Sequence, residues 1–598
     1  MPFDSSRRLT GSNLFFASTG AVLETLGVEI DATVLAEWRR RVARARSVLR
    51  WSDQAPAIVA RRHSAGTSLA IAAPLDQLFT ATEVNEWALC ASLLAADPPR
   101  WTRLESALVD AARAAAEHSS MSAAFAVALP VLEEQAAFAR FAKLSSIEGS
   151  PSLRVLVTAA HSRALSVLVD DDCLTLGSGA GGRTWPLDAL PDTEHVPWSE
   201  LRNVPTAIVT GSNGKTTTVR LLAGCARAQG WRDGYNCTDG LFVAGEQIER
   251  RDYSGPVGAR TVLRDSRVQA AIIETARGGI LRRGLALQRA RVAVVTNISA
   301  DHFGEYGIDD LAGLADTKLV VASAIDDRGL LVLNADDAML RSRVDQFACP
   351  LGWFSRNYDD PLLLSHRMKG GSTSGVRAGR LMVSWARDSA AEEFDLGAIT
   401  DMPLTVDGTA DYNVQNVAGV ALAALGLGIS ATTIAAVLTR FGADPTDNPG
   451  RLMRYEYRGA QVLIDYAHNP DGLRGLMNVA TRLRRSGRVA LLLGQAGNRS
   501  NADIESLAAM AARFRPDFVV VKETESYMRG RAPGEVPEIL RAALLRAGML
   551  QSAIEVQPSE LDAVKRALGW ARPGDVLVMP VHDRSVREQV IALLRTED

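Results

Sequence analysis

The stretch Ala207-Ile208-Val209-Thr210-Gly211-Ser212-Asn213-Gly214-Lys215-Thr216-Thr217-Thr218 constrains this chain more than any other. An apolar run rich in β-branched residues stops at a loop with two glycines, Lys-Thr-Thr follows, and an apolar helical pattern then begins. Glycine lets backbone N–H groups turn inward and approach an anion closely, and the following helix turns its positive end to the same point. A strand–loop–helix unit of this kind predicts a phosphate cradle, with Lys215 at the terminal phosphates and the Thr216 hydroxyl at Mg²⁺. Its spacing is shorter than the general template, which puts about four residues between the first glycine and Gly-Lys. Taken alone, the stretch also reads as a glycine turn before an ordinary helix.

At 598 residues the chain has room for roughly three to four domains. A net charge of −3 implies no general basic face, so a nucleic-acid partner is not expected. The five cysteines are scattered without a C-x-x-C pair, which argues against a zinc ribbon or a disulfide framework and fits a cytoplasmic setting. The eight histidines form no close metal-ligand array. Met1-Pro2-Phe3-Asp4-Ser5-Ser6-Arg7-Arg8 has no apolar core of a secretory signal, and no run of about eighteen apolar residues occurs, so no membrane is expected.

Residues 1–195 read as an N-terminal α+β domain serving substrate binding or oligomerisation. The stretch 105–144 is alanine-rich with helical spacing, and Ser68-Leu69-Ala70-Ile71-Ala72 and Val155-Leu156-Val157-Thr158 are strand candidates. Gly177-Ser178-Gly179-Ala180-Gly181-Gly182-Arg183 reads as a flexible linker rather than a second phosphate site, because no Lys-Ser/Thr follows and Pro186, Pro191 and Pro197 come next. A domain boundary is therefore expected within residues 177–203. From 204 to 445, apolar runs (Ala270-Ala271-Ile272-Ile273, Val292-Ala293-Val294-Val295, Leu330-Leu331-Val332-Leu333) alternate with helical patterns, which predicts a mostly parallel α/β sheet with ligands at the strand carboxyl ends. A second alternating series, with strands at 462–464, 489–493, 518–521 and 576–579, predicts a smaller Rossmann-like α/β domain over 446–598.

Chemistry collects at the strand ends. Ile272-Ile273 leads into Glu274-Thr275-Ala276-Arg277-Gly278-Gly279, and Val294-Val295 leads into Thr296-Asn297-Ile298-Ser299-Ala300-Asp301-His302. If these strands flank the glycine-loop strand, Glu274 and His302 face the same crevice as Lys215 and Thr216, a set suited to Mg²⁺ beside a triphosphate. Asn413 and Asn416, ahead of an alanine-rich helix, suit a purine edge or ribose, or an N-cap. Arg451 suits a γ-phosphate or the surface, and Asp465 a ribose hydroxyl or a plain turn.

Gly211-Ser212-Asn213-Gly214-Lys215-Thr216-Thr217, Thr296-Asn297 with Asp301-His302, Asn413 with Asn416, Gly450-Arg451 and Asp465-Tyr466-Ala467-His468-Asn469-Pro470 together resemble the Mur ligase superfamily over residues 204–598. Thr238-Asp239-Gly240, Ser254-Gly255-Pro256, residues 274–285, Arg529-Gly530-Arg531 and Gly534-Glu535-Val536 resemble the Mur-like half of the cyanophycin synthetases, and Gly11-Ser12-Asn13-Leu14 is similar to their N-terminal part. The resemblance implies a central P-loop ATPase domain, ATP and Mg²⁺ as cofactors, and nucleotide contacts from Gly211, Asn213, Gly214, Lys215, Thr216, Thr217, Asn413, Arg451 and Asp465. It implies metal ligation by Thr216, Glu274 and His302, and catalytic roles for Lys215, His302 and Lys318, the last at the position of a carbamylated lysine. The ATP-grasp domain of the cyanophycin synthetases has no room before Gly211, so their aspartate-adding reaction is expected to be absent.

The implied reaction is ATP-dependent amide-bond formation: an acceptor carboxylate becomes an acyl phosphate, which an amino-acid amine attacks. The expected partners are that carboxylate acceptor, an aspartate-containing peptide, and a basic amino-acid donor meeting Asn498-Arg499 and Lys522-Glu523, with homo-oligomerisation left open. The alternatives are a ligase for a nucleotide-linked or pterin-linked acceptor and a noncatalytic nucleotide-binding partner subunit.

Overall fold

Each apolar run of the middle region is a strand buried on both faces, because its alternate residues feed two separate cores. In the computed structural model, residues 3, 5–28, 30–51, 57–97, 133–301, 303–387 and 390–595 are described. Ala207 and Val209 pack into one core with Ala270, Ile272, Val292 and Val294. Ile208 packs into the other with Ala271, Ile273, Ala293 and Val295. Strands without a polar face demand helices on both sides, the arrangement of a parallel α/β sheet.

The strands Asp233–Cys237, Ala270–Glu274, Thr206–Thr210, Val292–Val295, Leu330–Asn334, Leu351–Phe354 and Ser372–Arg377 run parallel in that spatial order. Antiparallel hairpins extend both edges, so the whole sheet has 11 strands. Thr206–Thr210 comes first in sequence but lies in the middle, with Glu274 registered against Val209 on one side and Val295 against Thr210 on the other. The chain therefore reverses direction across the sheet at this strand, and its carboxyl end opens on the crevice that such a reversal creates. The helix Lys215–Ala228 follows from it and is buried nearly all round, between the sheet and the helices Asp411–Leu427 and Ala431–Leu438.

A second, 6-stranded sheet begins at Met453–Tyr457, which pairs antiparallel with Ala460–Asp465. Val576–Pro580, Val489–Leu493, Phe518–Lys522 and Ile554–Gln557 then continue it in parallel. The expected strands of this region fall within these bounds.

The N-terminal part pairs Ser5–Leu9, Gly20–Leu26, Gly66–Ala72 and Ile58–His63 into a 4-stranded antiparallel sheet, in that order. Helices Ala32–Val48, Leu78–Ala96 and Glu134–Glu148 cover one face. Ser68–Ala72 is strand as expected, while residues 105–132 of the alanine-rich stretch lie outside the described residues. Val155-Leu156-Val157-Thr158 is not a strand. It lies inside the helix Pro151–Ser162, started by the Ser150 side chain accepting from Leu153 N and by proline in the first turn, with Leu153, Leu156 and Ala160 buried at helical spacing.

The glycine-rich stretch 177–183 is not a free tether either. Ala180 N donates to Val268 O at 2.7 Å, Arg202 N to Gly181 O at 2.9 Å, and a Cβ on Gly181 would stand 2.3 Å from Arg202 Cγ. Its glycines let backbones pack closely, so the small sheet Val167–Val169, Cys173–Leu176, Arg183–Pro186 is fixed against the large one.

Beneath the 6-stranded sheet's carboxyl edge, Lys522 Nζ pairs with Glu560, and Glu560 also accepts from the amides of His582 and Asp583 at 2.9 and 2.8 Å. His582 Nε2 lies 3.1 Å from Ala467 O. Burial, reinforced by the Lys522 charge, holds the His582 imidazole down at about 3 against the opposing pull of Glu560. The folded state thus refuses a proton that the unfolded chain accepts near pH 6.5. The stability that His582 contributes is full above that value and falls with pH toward 3, with a slope approaching about 1.4 kcal/mol per pH unit. His582→Gln, which keeps a donor for Ala467 O, is expected to flatten the stability curve between about pH 6.5 and 4.5, as read by denaturant unfolding at stepped pH.

Candidate functional site

Two glycines allow the loop at 211–214 its shape. Gly211 has φ +146°, and a Cβ there would lie 1.9 Å from Thr296 Oγ1. Gly214 has φ +84°, and its Cβ would lie 2.3 Å from Asn416 Oδ1. Only a residue without a side chain fits either contact.

The end of the neighbouring strand holds the loop by its backbone. Ser212 N donates to Asn297 O at 2.9 Å, Asn213 N to Asn297 Oδ1 at 2.9 Å, and Thr296 Oγ1 to Asn213 O at 2.5 Å. Lys318 Nζ, from the helix Leu311–Leu319, donates to Gly211 O at 2.8 Å. Lys215 Nζ donates to Gly211 O and Ser212 O, both at 3.0 Å, so two lysines meet at one carbonyl. Burial pushes the Lys318 amine well below the ordinary lysine range, and the Lys215 and Arg277 charges act in the same direction against Asp301.

On the opposite side, Thr216 Oγ1 donates to Glu274 Oε2 at 2.9 Å, and Thr238 Oγ1 to Glu274 Oε1 at 3.3 Å. Glu274 is fully buried, and burial raises its pKa despite the Lys215 charge, the Thr216 hydrogen bond and Arg451. A carboxylate and a hydroxyl of this kind are hard oxygen donors that suit Mg²⁺. Arg451 Nη2 lies 3.5 Å from Thr216 Oγ1, and its guanidinium sits 4.6 Å over the Tyr466 ring.

Other expected residues stand one step back. Asn413 and Asn416 lie inside the helix Asp411–Leu427 rather than ahead of it, and neither caps it. Asn413 Nδ2 donates to Leu404 O at 2.9 Å and its Oδ1 accepts from Asn416 at 3.1 Å, so Asn416 rather than Asn413 touches the loop. Thr217 Oγ1 accepts from Asn448 Nδ2 at 3.1 Å. Asp465 accepts from Leu452 N at 2.7 Å, which holds the turn bearing Arg451. Lys522 is fully buried against Glu560 and does not face the crevice, a correction to its expected place beside a donor. Arg499 reaches Asp301 Oδ1 at 3.0 Å, and Glu523 accepts from Gly534 N at 2.7 Å. His302 lies outside the described residues.

Sequence reading did not single out the contacts that close the two sheets on each other. Asn213 Nδ2 lies 3.3 Å from Asp471, and Asn469 Nδ2 donates to Asn213 Oδ1 at 3.0 Å. Asp239 accepts from Arg220 at 2.7 Å and faces Arg587 at 3.4 Å. The fragment Thr238-Asp239-Gly240 was a local signal for part of this, but Arg587, on a distant helix, had none.

Residues 209–424 match the Mur ligase middle domain, and residues 450–580 match the Mur ligase glutamate ligase domain. Over these residues the chain belongs to the Mur ligase family. It is 34% identical to a cyanophycin synthetase of Synechocystis sp. over 381 residues, covering 63% of this chain and 42% of that protein. It is 27% identical to a UDP-N-acetylmuramoyl-L-alanyl-D-glutamate–2,6-diaminopimelate ligase of Geobacillus kaustophilus, covering 62% of this chain and 72% of that one. A solved structure of a ligase of the same description superposes with a TM-score of 0.40 at 18% identity, over 66% of this chain and 78% of that one. The chain thus spans about two fifths of the length of the curated cyanophycin synthetases it matches.

Gly211→Ala is expected to displace the loop from Thr296 and, if the loop holds a nucleotide, to weaken ADP binding at least tenfold, about 1.4 kcal/mol. Isothermal calorimetry with ADP, beside a thermal melt to verify folding, reads the outcome.

Proposed function

We propose that this Mur ligase family protein is an ATP-dependent amide ligase that activates a carboxylate as an acyl phosphate and joins it to an amino acid. The observation that carries the reading is the meeting of two sheets at Thr216, whose hydroxyl contacts Glu274 from one side and Arg451 from the other. A site completed only when two domains touch suits a reaction that must exclude water from an activated carboxylate.

Residues 204–445 would supply the cradle, 446–598 the closing half, and 1–195 an accessory domain. Gly211, Asn213 and Gly214 shape the cradle, and Lys215 keeps its ammonium against the loop carbonyls, where it neutralises charge on a transferring phosphoryl group. Arg451 adds a second cation, held in line by Tyr466 and by the Asp465 contact to Leu452. Thr216 and Glu274, with His302 as the further expected ligand, would hold Mg²⁺, which would supply charge neutralisation on the phosphates. Carbamylation of Lys318, carried over from the family, suits an amine whose pKa burial lowers, since lowering it favours the neutral form that adds carbon dioxide. The free thiols support a cytoplasmic setting. The acceptor of the reading is an aspartate-containing peptide, and the donor is arginine or another basic amino acid.

The test is phosphate release from ATP over a panel of aspartyl peptides and nucleotide-linked and pterin-linked acceptors with amino-acid donors, followed by mass spectrometry. ADP and a condensed product are expected, with kcat reduced on the order of a hundredfold in Lys215→Ala. AMP would contradict the acyl-phosphate route. Nucleotide binding without phosphate release across the panel would instead support a noncatalytic subunit.

A further inference from the structure

Among the described residues, two of the approaches between the N-terminal part and the middle region lie just downstream of strands that flank the glycine loop. The first is the turn Gly11-Ser12-Asn13-Leu14. Thr10 N donates to Arg283 O and Leu285 N to Ser12 O, both at 2.8 Å. A Cβ on Gly11 would stand 2.1 Å from Leu285 O, and Asn13 Oδ1 ties the turn by accepting from Phe15 N and Phe16 N at 2.9 and 3.1 Å. These contacts grip the end of the helix Arg277–Arg283, which follows directly from the strand ending in Glu274.

The second grip is on residues 303–310, which lead from Asp301 to the helix Leu311–Leu319 carrying Lys318. Arg61 Nη1 donates to Gly307 O at 2.7 Å, and its Nη2 lies 2.7 Å from where a Cβ on Gly313 would stand. Ser64 N donates to Asp309 Oδ2 at 2.8 Å. The Arg7 guanidinium covers the Tyr306 ring at 4.4 Å. Tyr306 has φ +53°, a conformation that a bulky side chain adopts only where its surroundings impose it. Behind these residues, Glu24 accepts from Arg7 and Ser68, both at 2.6 Å, and lies 3.4 Å from His63. The two gripped segments are joined to each other by the Arg277–Glu305 ion pair.

We propose that the N-terminal domain is a positioning clamp for the site, with Arg61, Arg7 and Gly11 fixing the segments behind Glu274 and ahead of Lys318. Removing the clamp loosens the helix that delivers Lys318 to Gly211 O without removing any group from the crevice. The catalytic part of this inference rests on the ligase reading; the mechanical part does not.

Amide hydrogen exchange on the full chain tests it, comparing wild type with Arg61→Met and Arg61→Lys. In Arg61→Met, exchange over residues 304–319 is expected to rise at least tenfold, while the helix Asp411–Leu427 stays within twofold. Arg61→Lys, which retains a donor for Gly307 O, is expected to restore at least half of the protection on a logarithmic scale. Under the ligase reading, kcat falls roughly tenfold in Arg61→Met with KM for ATP within twofold. Unchanged exchange over 304–319, or an equal rise in the control helix, overturns the clamp. A wild type that releases no phosphate overturns the ligase reading, and the exchange result then decides the clamp by itself.

Discussion

The structure depends on how the loop 211–214 is held. Its amides and carbonyls are engaged by Thr296, Asn297 and Lys318. A loop with two glycines is otherwise the most mobile kind of backbone, since glycine loses the most conformational freedom on ordering. Here that cost is met during folding by hydrogen bonds from the adjacent strand end.

The electrostatics follow from the same burial. Glu274 and Lys318 stand on opposite sides of the loop, and desolvation pushes each toward its neutral form. Lys215 lies between these tendencies: its charge lowers the cost of an ionised Glu274 and raises that of an ammonium at Lys318. One cation therefore biases both neighbours, and it does so across a few side chains that no stretch of sequence joins. The same logic runs through Asp239, where Arg451, Arg220, Arg587 and Arg584 together outweigh burial and hold the carboxylate ionised. That cluster spans the two sheets, so their contact and the charge balance at Asp239 rest on the same side chains.

The N-terminal sheet gives this arrangement an outer support. It meets the large sheet at the ends of secondary elements rather than on their faces, where a small displacement would move Glu274 relative to Lys318. The glycines at 11, 284 and 307 mark these approaches, and each has a backbone or ring atom where its Cβ would be. The glycine-rich stretch 177–183 works similarly. Its composition reads as a linker, yet its glycines are there so that residues 202 and 268 can come close.

Sequence alone determined the parallel middle sheet, the second sheet and the glycine loop, because apolar runs with no polar face and glycines before Lys-Thr-Thr are local signals of two-sided burial and anion contact. It also marked Glu274, since a charged residue at the end of a buried strand stands out from its neighbours, whereas Arg451 was assigned to the nucleotide only through the Mur ligase resemblance. It misjudged residues 155–158, where β-branched content masked a helix set by Ser150 and Pro151. Only the tertiary structure decided that Asn416 rather than Asn413 meets the loop, that Lys522 is spent on Glu560, and that Asn469 and Asp471 close on Asn213. Those outcomes turn on which of several chemically equal side chains reaches a point in space, and that is set by helix phase and sheet register over hundreds of residues rather than by any local pattern.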